Sequence, residues 1–230
     1  MNDKTKTQKI KVLKDGPYLV TGGVPLHESV ITPKGNGYVY EPGRPLPQRE
    51  TYTLCRCGHT RTPPFCDASH ARYGFDGTET ADKSAYNKRA TKLEGKGLDL
   101  LDDGRCAFAR FCHRETGDAW ELSEDSGTPY NKSEAIAASN ECPAGRLTAV
   151  EKDGKIHEPD YAPAIEILQD PEEEASAGIF IKGGIPIESA DGTTYEVRNR
   201  AVLCRCGHSK NKPFCDMQHI VEGFIDENNE

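Results

Sequence analysis

At 230 residues with a net charge of −8, the chain is too acidic for phosphate backbones or anionic lipid to be favoured partners. Only 35% of residues are apolar and 7% aromatic, beside 22 glycines and 15 prolines, which argues against one large hydrocarbon core and for small modules stapled by metals or disulfides. No apolar run approaches the roughly 20 residues that span a bilayer, and the polar start has no apolar signal region, so the expectation is a soluble cytoplasmic protein with no nucleic-acid or membrane partner.

In chain order, Lys4, Lys6, Lys9, Lys11 and Lys14 read as a solvated, frayed terminus. Tyr18–Val20 is a short strand ended by the Gly22-Gly23 turn, and Tyr52–Leu54 is a strand running into Cys55-Arg-Cys57. The polar stretch Thr80–Lys96 reads as a linker. Leu98–Leu101 is a strand followed by a cysteine loop, Ser133–Asn140 a short helix capped at Asn131, and Leu147–Val150 another strand. Asp170-Pro-Glu-Glu-Glu174 reads as a second linker, after which strands return at Ile179–Ile181 and Ala201–Leu203.

The chain repeats itself. Tyr18-Leu-Val-Thr-Gly-Gly-Val-Pro-Leu26 returns as Ile179-Phe-Ile-Lys-Gly-Gly-Ile-Pro-Ile187, and Leu54-Cys-Arg-Cys-Gly-His59 returns as Leu203-Cys-Arg-Cys-Gly-His208. Each copy closes on Gly-Phe, at Gly74-Phe75 and Gly223-Phe224. Three matching blocks in one order point to duplication.

There are nine cysteines, an odd number that cannot all pair within one chain. Without an export signal, closely spaced cysteines are more often metal ligands than bridges. The first motif places Cys55, Cys57, Cys66 and His70, and the second places Cys204, Cys206, Cys215 and His219 at the same spacings. Two thiolates two apart at the end of a strand point to one face, so one iron can take both. A cysteine and a histidine four apart share the face of a helical turn, ready for a second iron. Asp67 suits the start of that turn, and Pro64 and Pro213 stiffen the approach to it.

This pattern resembles the CDGSH (NEET) iron–sulfur family, C-x-C-x2-[S/T]-x3-P-x-C-D-G-[S/A/T]-H. The resemblance implies a [2Fe–2S] cluster in each copy, with Cys55, Cys57, Cys66 and His70 as ligands of the first and Cys204, Cys206, Cys215 and His219 of the second. Here Ala68 and Met217 replace the glycine after the aspartate, and Gln218 replaces the small residue before the second histidine. His59 and His208 recur as well, and read as neighbours or exposed side chains rather than ligands. The competing assignment is a pair of structural zinc sites, although zinc fingers space their cysteines as C-x2-4-C.

The remaining cysteines are Cys106, Cys112 and Cys142, the last followed by Pro143. From Leu98 to Val150 the segment resembles the three-cysteine, single-cluster ferredoxins, with Ala109 where a middle cysteine would stand. That resemblance implies a [3Fe–4S] cluster, or a [4Fe–4S] cluster if His113 completes it. The alternative is three buried, inert thiols.

The expected architecture is therefore α+β and β-rich, with two small CDGSH modules (1–80 and 175–230) around a ferredoxin-like α/β module (90–158). The two CDGSH copies are expected to form an internal pseudo-dimer within a monomer, or a homodimer. No phosphate loop or Gly-x-Ser-x-Gly nucleophile is present, and Trp120 reads as core, so no enzymatic role is expected. Electron transfer leads, with cluster storage, transfer or iron sensing as the alternative. The partner is then a redox protein or a cluster acceptor, and the acidic chain suits one with a basic docking face.

Overall fold

The computed structural model describes residues 7–226, so Lys4 and Lys6 lie outside the described residues. The first copy contributes strands β1 (Lys9–Val12), β2 (Tyr18–Thr21), β3 (Leu26–Lys34), β4 (Gly37–Pro42) and β5 (Thr51–Leu54), then helix α1 (Ser69–Arg72). The middle of the chain holds α2 (Tyr86–Arg89), β6 (Thr91–Glu94), β7 (Leu98–Asp102), the two-residue strands β8 (His113–Arg114) and β9 (Gly117–Asp118), α3 (Ala119–Glu124), α4 (Pro129–Glu141) and β10 (Leu147–Glu151). The second copy contains β11 (Ala164–Asp170), β12 (Ala175–Lys182), β13 (Ile187–Glu188), β14 (Arg200–Leu203) and α5 (Gln218–Val221). The protein is α+β and strand-rich, with several small sheets.

The two copies are interlaced. One sheet runs β13-β1-β2-β5 and another β14-β12-β11-β3-β4. The joining ladders are parallel in both: Ile10 of β1 stands opposite Ile187, and Ile165 of β11 stands opposite Leu26. Leu26 and Ile187 are matching residues of the repeat, so each copy sends its strand after the Gly-Gly turn into the other copy's sheet. The apolar residues of both copies then close one core, with Ile10, Val12, Tyr18, Val20 and Leu26 packed among Ile165, Ile167, Ile179, Ile181, Ile187 and Leu203. β12 lies inside its sheet and is covered on both faces, so it is buried at seven successive positions, 175–181, rather than at alternate ones.

The middle unit has its own antiparallel sheet, β10-β7-β6, carrying α3 and α4. Four expectations change. Helix α4 is longer than Ser133–Asn140, and its cap is Thr128, whose Oγ1 accepts from the amide of Asn131 at 3.2 Å with Pro129 in the first turn. The stretch Thr80–Lys96 is docked rather than a free linker. Tyr86 is buried and its hydroxyl donates to the carbonyls of Leu101 (3.0 Å) and Arg146 (2.8 Å). Asp170–Glu174 is a single tight turn between β11 and β12. Lys9 and Lys11 are not frayed either, since both pair with Glu188 on the exchanged strand, at 2.9 and 2.7 Å.

Candidate metal centres

Each motif is folded by the same local bonds. The Cys55 amide donates to the Pro64 carbonyl at 2.8 Å and the Cys66 amide to Thr53 at 3.0 Å, which lays Cys66 back beside the end of β5. In the second copy Cys204 donates to Pro213 at 2.8 Å and Cys215 to Val202 at 2.9 Å. The peptide bonds Pro63-Pro64 and Lys212-Pro213 are both cis. Thr60 and Ser209 close the loops by donating to the carbonyls of Phe65 (2.6 Å) and Phe214 (2.7 Å). Asp67 accepts from the Ser69 amide at 3.0 Å and thereby starts α1, the turn that carries His70.

These bonds bring the donors together in pairs. Cys55 and Cys57 Sγ stand 3.7 Å apart, and Cys204 and Cys206 Sγ 3.6 Å. Cys66 Sγ lies 3.4 Å from His70 Nδ1, and Cys215 Sγ 3.4 Å from His219 Nδ1. Two thiolates each about 2.3 Å from one tetrahedral metal stand about 3.7 Å apart, and a thiolate and an imidazole nitrogen about 3.6 Å. Each pair therefore fits one metal. Among the described residues, no three histidine, cysteine or carboxylate side chains converge on a single ion.

One sulfur of each Cys-x-Cys pair is eased toward negative charge, chiefly by its partner thiol and then by backbone amides, while the partners Cys57 and Cys206 are raised. The Cys55 thiol is lowered to about 6, first by a hydrogen bond from Cys57, with burial opposing and the amides of Cys57, Gly58 and Thr60 assisting. Cys204 is lowered to about 7 by Cys206 in the same manner, with the amides of Ser209 and Gly207 assisting. The Ala68 amide points at Cys66 Sγ, 3.4 Å away. Burial raises the Cys66 and Cys215 thiols, as expected for sulfurs whose charge a metal would compensate. His219 is 2% exposed, burial lowers it to about 4, and its Nε2 has no hydrogen-bond partner. A neutral imidazole with its Nδ1 beside a thiol is what metal ligation needs.

The two centres are neighbours. A Cβ built on Gly58 would lie 2.4 Å from the carbonyl oxygen of Cys206, and one on Gly207 would lie 2.6 Å from that of Cys57. Glycine at these points lets the two cysteine loops touch back to back, and both residues hold positive φ, +80° and +88°. Tyr18, fully buried, ties the first copy to the second loop by donating to the carbonyls of Cys204 (2.7 Å) and Pro213 (3.0 Å).

Of the middle cysteines, Cys112 and Cys142 pack against Leu100, Ala119, Ala138 and Leu147, together with Trp120. Cys112 is raised to about 12 by burial and by the neighbouring thiolates of Cys142 and Cys106, so the three sulfurs lie within range of one another's charge. His113 is exposed. The loop between Cys106 and Cys112 presses Ala107, Ala109 and Phe111 onto a cluster that includes Cys215, which places the middle unit against the second centre. His59 and His208 are exposed, His59 stacked on Tyr73 at 4.3 Å.

Sequence reasoning assigned no role to Arg56 and Arg205, the residues between paired cysteines. Both side chains are buried, at 1% and 3% exposure. Their signal was present, since Cys-Arg-Cys-Gly recurs in both copies.

Residues 15–71 and 178–220 each match the family described as iron-binding zinc finger, CDGSH type, and together these segments span less than half of the chain. Neither a curated protein nor a solved structure matches it.

Proposed function

The chain is a CDGSH-type iron-binding protein with two motifs, and from that premise we propose that it is an electron carrier holding a [2Fe–2S] cluster at each. The observation that carries this reading is the pairing of donors, Sγ with Sγ at 3.7 and 3.6 Å and Sγ with Nδ1 at 3.4 Å, which suits two metals per centre. Cys55, Cys57, Cys66 and His70 hold the first cluster, and Cys204, Cys206, Cys215 and His219 the second. Cys106, Cys112 and Cys142 hold a third, of the [3Fe–4S] type, since the exposed His113 adds no fourth ligand from the buried side. The clusters supply one-electron chemistry, and histidine ligation raises their potentials relative to all-cysteine sites.

The chain's own residues set the order of the sites. The Gly58–Gly207 contact puts the first beside the second, and the 106–112 loop puts the middle site beside the second. A row of this kind passes electrons and performs no chemistry on a small molecule. With a charge of −8 the partner is a redox protein with a basic docking face, and the interlaced copies make their own pair inside one chain. No helix among the described residues is long and apolar enough to cross a membrane.

Iron, zinc and acid-labile sulfide per chain on anaerobically purified protein test the reading. About seven irons and eight sulfides are expected for two [2Fe–2S] clusters and one [3Fe–4S]. About four of each leaves the middle thiols structural, and zinc without sulfide overturns the reading. A second function, delivery of whole clusters, is favoured by the half-buried position of His70 beside the enclosed His219. Cluster movement from the oxidised protein to an empty acceptor would establish it, whereas reversible cycling without cluster loss supports the carrier.

A further inference from the structure

The two centres match in their donors and differ in the charge buried behind them. Arg56 lies between Cys55 and Cys57, and its guanidinium lies over the ring of Phe75 and is hydrogen-bonded to carbonyls alone: Nε donates to Gly16 at 2.8 Å, Nη1 to Gly77 at 2.9 Å and Nη2 to Leu13 at 3.1 Å. Arg205 lies between Cys204 and Cys206 and begins the same way, Nε donating to Ala177 and Nη2 to Leu168 at 2.9 Å. Its Nη1, however, donates to the carboxylate of Asp226. Gly77 and Asp226 are matching positions, each the second residue after the Gly-Phe that closes its copy. One exchange in the repeat therefore leaves a buried positive charge unneutralised in the first centre and neutralises it in the second.

The carboxylates nearest Arg56 do not replace Asp226. Asp15 is exposed and accepts from the Gly77 amide at 3.0 Å, and Asp76 is exposed and accepts from the Thr78 amide at 2.9 Å. Neither forms an ion pair with Arg56 among the described residues; Asp76 is lowered chiefly by its hydrogen bonds from Thr78, with the Arg56 charge the least of the causes, and solvent screens both. Asp226 is instead fixed behind the second centre, taking Gln169 Nε2 at 3.0 Å and Ser176 Oγ at 2.6 Å. The other guanidinium close to that centre, Arg110, is paired with Asp170 at 2.7 Å.

We propose that Arg56 without a carboxylate, against Arg205 with Asp226, makes the two clusters unequal electron acceptors, the first taking its electron at the higher potential. The inference rests on the cluster reading above. Reduction adds one negative charge to a site, one of two ferric irons becoming ferrous, while a one-electron donor protein is oxidised by the same electron. A guanidinium without an ion pair close to the ligating histidine favours that added charge: Gly16, which accepts from Arg56 Nε, lies against His70, whose Nε2 would stand 3.8 Å from a Cβ built there. Burial acts in the same direction, since the middle unit encloses the second centre and charge is harder to add there. The first centre is thus where an electron rests, and the second is a relay toward the middle site.

The test is a potentiometric titration of the anaerobically purified holoprotein, followed by electron paramagnetic resonance. Two separate one-electron waves are expected from the two [2Fe–2S] clusters, beside the wave of the middle [3Fe–4S] cluster, whose resonance belongs to its oxidised form. His70→Cys identifies the first site, because thiolate ligation lowers its potential, and it should move the higher wave down and leave the lower one in place. Asp226→Asn should move the lower wave up toward the higher. A single wave for both clusters, or a His70→Cys shift in the lower wave, overturns the proposal. An Asp226→Asn protein that keeps both clusters with an unmoved lower wave overturns the role of the ion pair. A preparation without sulfide overturns the cluster reading itself, and this inference with it.

Discussion

Ala68 and Met217 hold φ at +66° and +65°, the left-handed conformation that a Cβ disfavours. Each stands directly before a helical turn carrying a histidine, so the constraint sits on the path from Cys66 to His70 and from Cys215 to His219. Ala68→Gly should relieve about 1–2 kcal/mol of folded-state strain, less roughly 0.5–1 kcal/mol for the freer unfolded chain. A small rise in unfolding midpoint is the expected outcome in thermal denaturation, and a fall would show that Ala68 contributes packing that glycine loses. At this scale the donor residues were legible because their spacings are local, two residues and four, although the paired cysteines lie just past the ends of β5 and β14, and Cys66 and Cys215 stand before α1 and α5 rather than on them. The arginines between them were visible but mute. Their meaning depends on which group, a carbonyl of Gly77 or a carboxylate of Asp226, meets them from some 20 residues away.

Among the elements, β7 shows how the middle unit is held. Asp99 on this strand is 5% exposed and binds Lys152 Nζ, Lys92 Nζ (2.9 Å) and the Gly95 amide (3.3 Å). Lys152 chiefly, with burial opposing and Lys92 assisting, holds its carboxyl down to about 2. A depressed carboxyl stabilises the fold fully above its ordinary value near 4 and loses that contribution as pH falls toward 2. Asp99→Asn should cost about 1 kcal/mol at pH 7, since two of its bonds run to solvent-facing lysines. In denaturant titrations the gap to the unsubstituted protein should narrow between pH 5 and pH 3. A constant gap would mean that the loss is one of shape rather than charge. Strands β2, β5, β7, β10 and β14 could be read from apolar runs and turn residues. Helix α2 could not, because Tyr86–Arg89 has no apolar periodicity. It forms because Tyr86 finds the carbonyls of Leu101 and Arg146 across the middle unit.

Over the whole molecule, the decisive contact is the meeting of the two cysteine loops at Gly58 and Gly207. Gly207→Ala should cost at least about 2 kcal/mol, since the new methyl meets the Cys57 carbonyl and the backbone holds φ +88°. Gly192→Ala is the control, with φ +87° and nothing within 4 Å of a built Cβ, so it carries the backbone strain alone. A clearly larger drop in midpoint and in bound iron for Gly207→Ala is expected, and equal drops would mean that the loops do not press on each other. The sequence by itself determined the duplication, the donor pairs and the strand-rich class, because these depend on neighbours within a few residues. Only the tertiary structure decided that β3 and β13 cross into each other's sheets, that the two centres stand back to back, and that the middle unit lies on the second. Those outcomes depend on which apolar faces find each other across more than 100 residues, and a lone sequence records the faces without their partners.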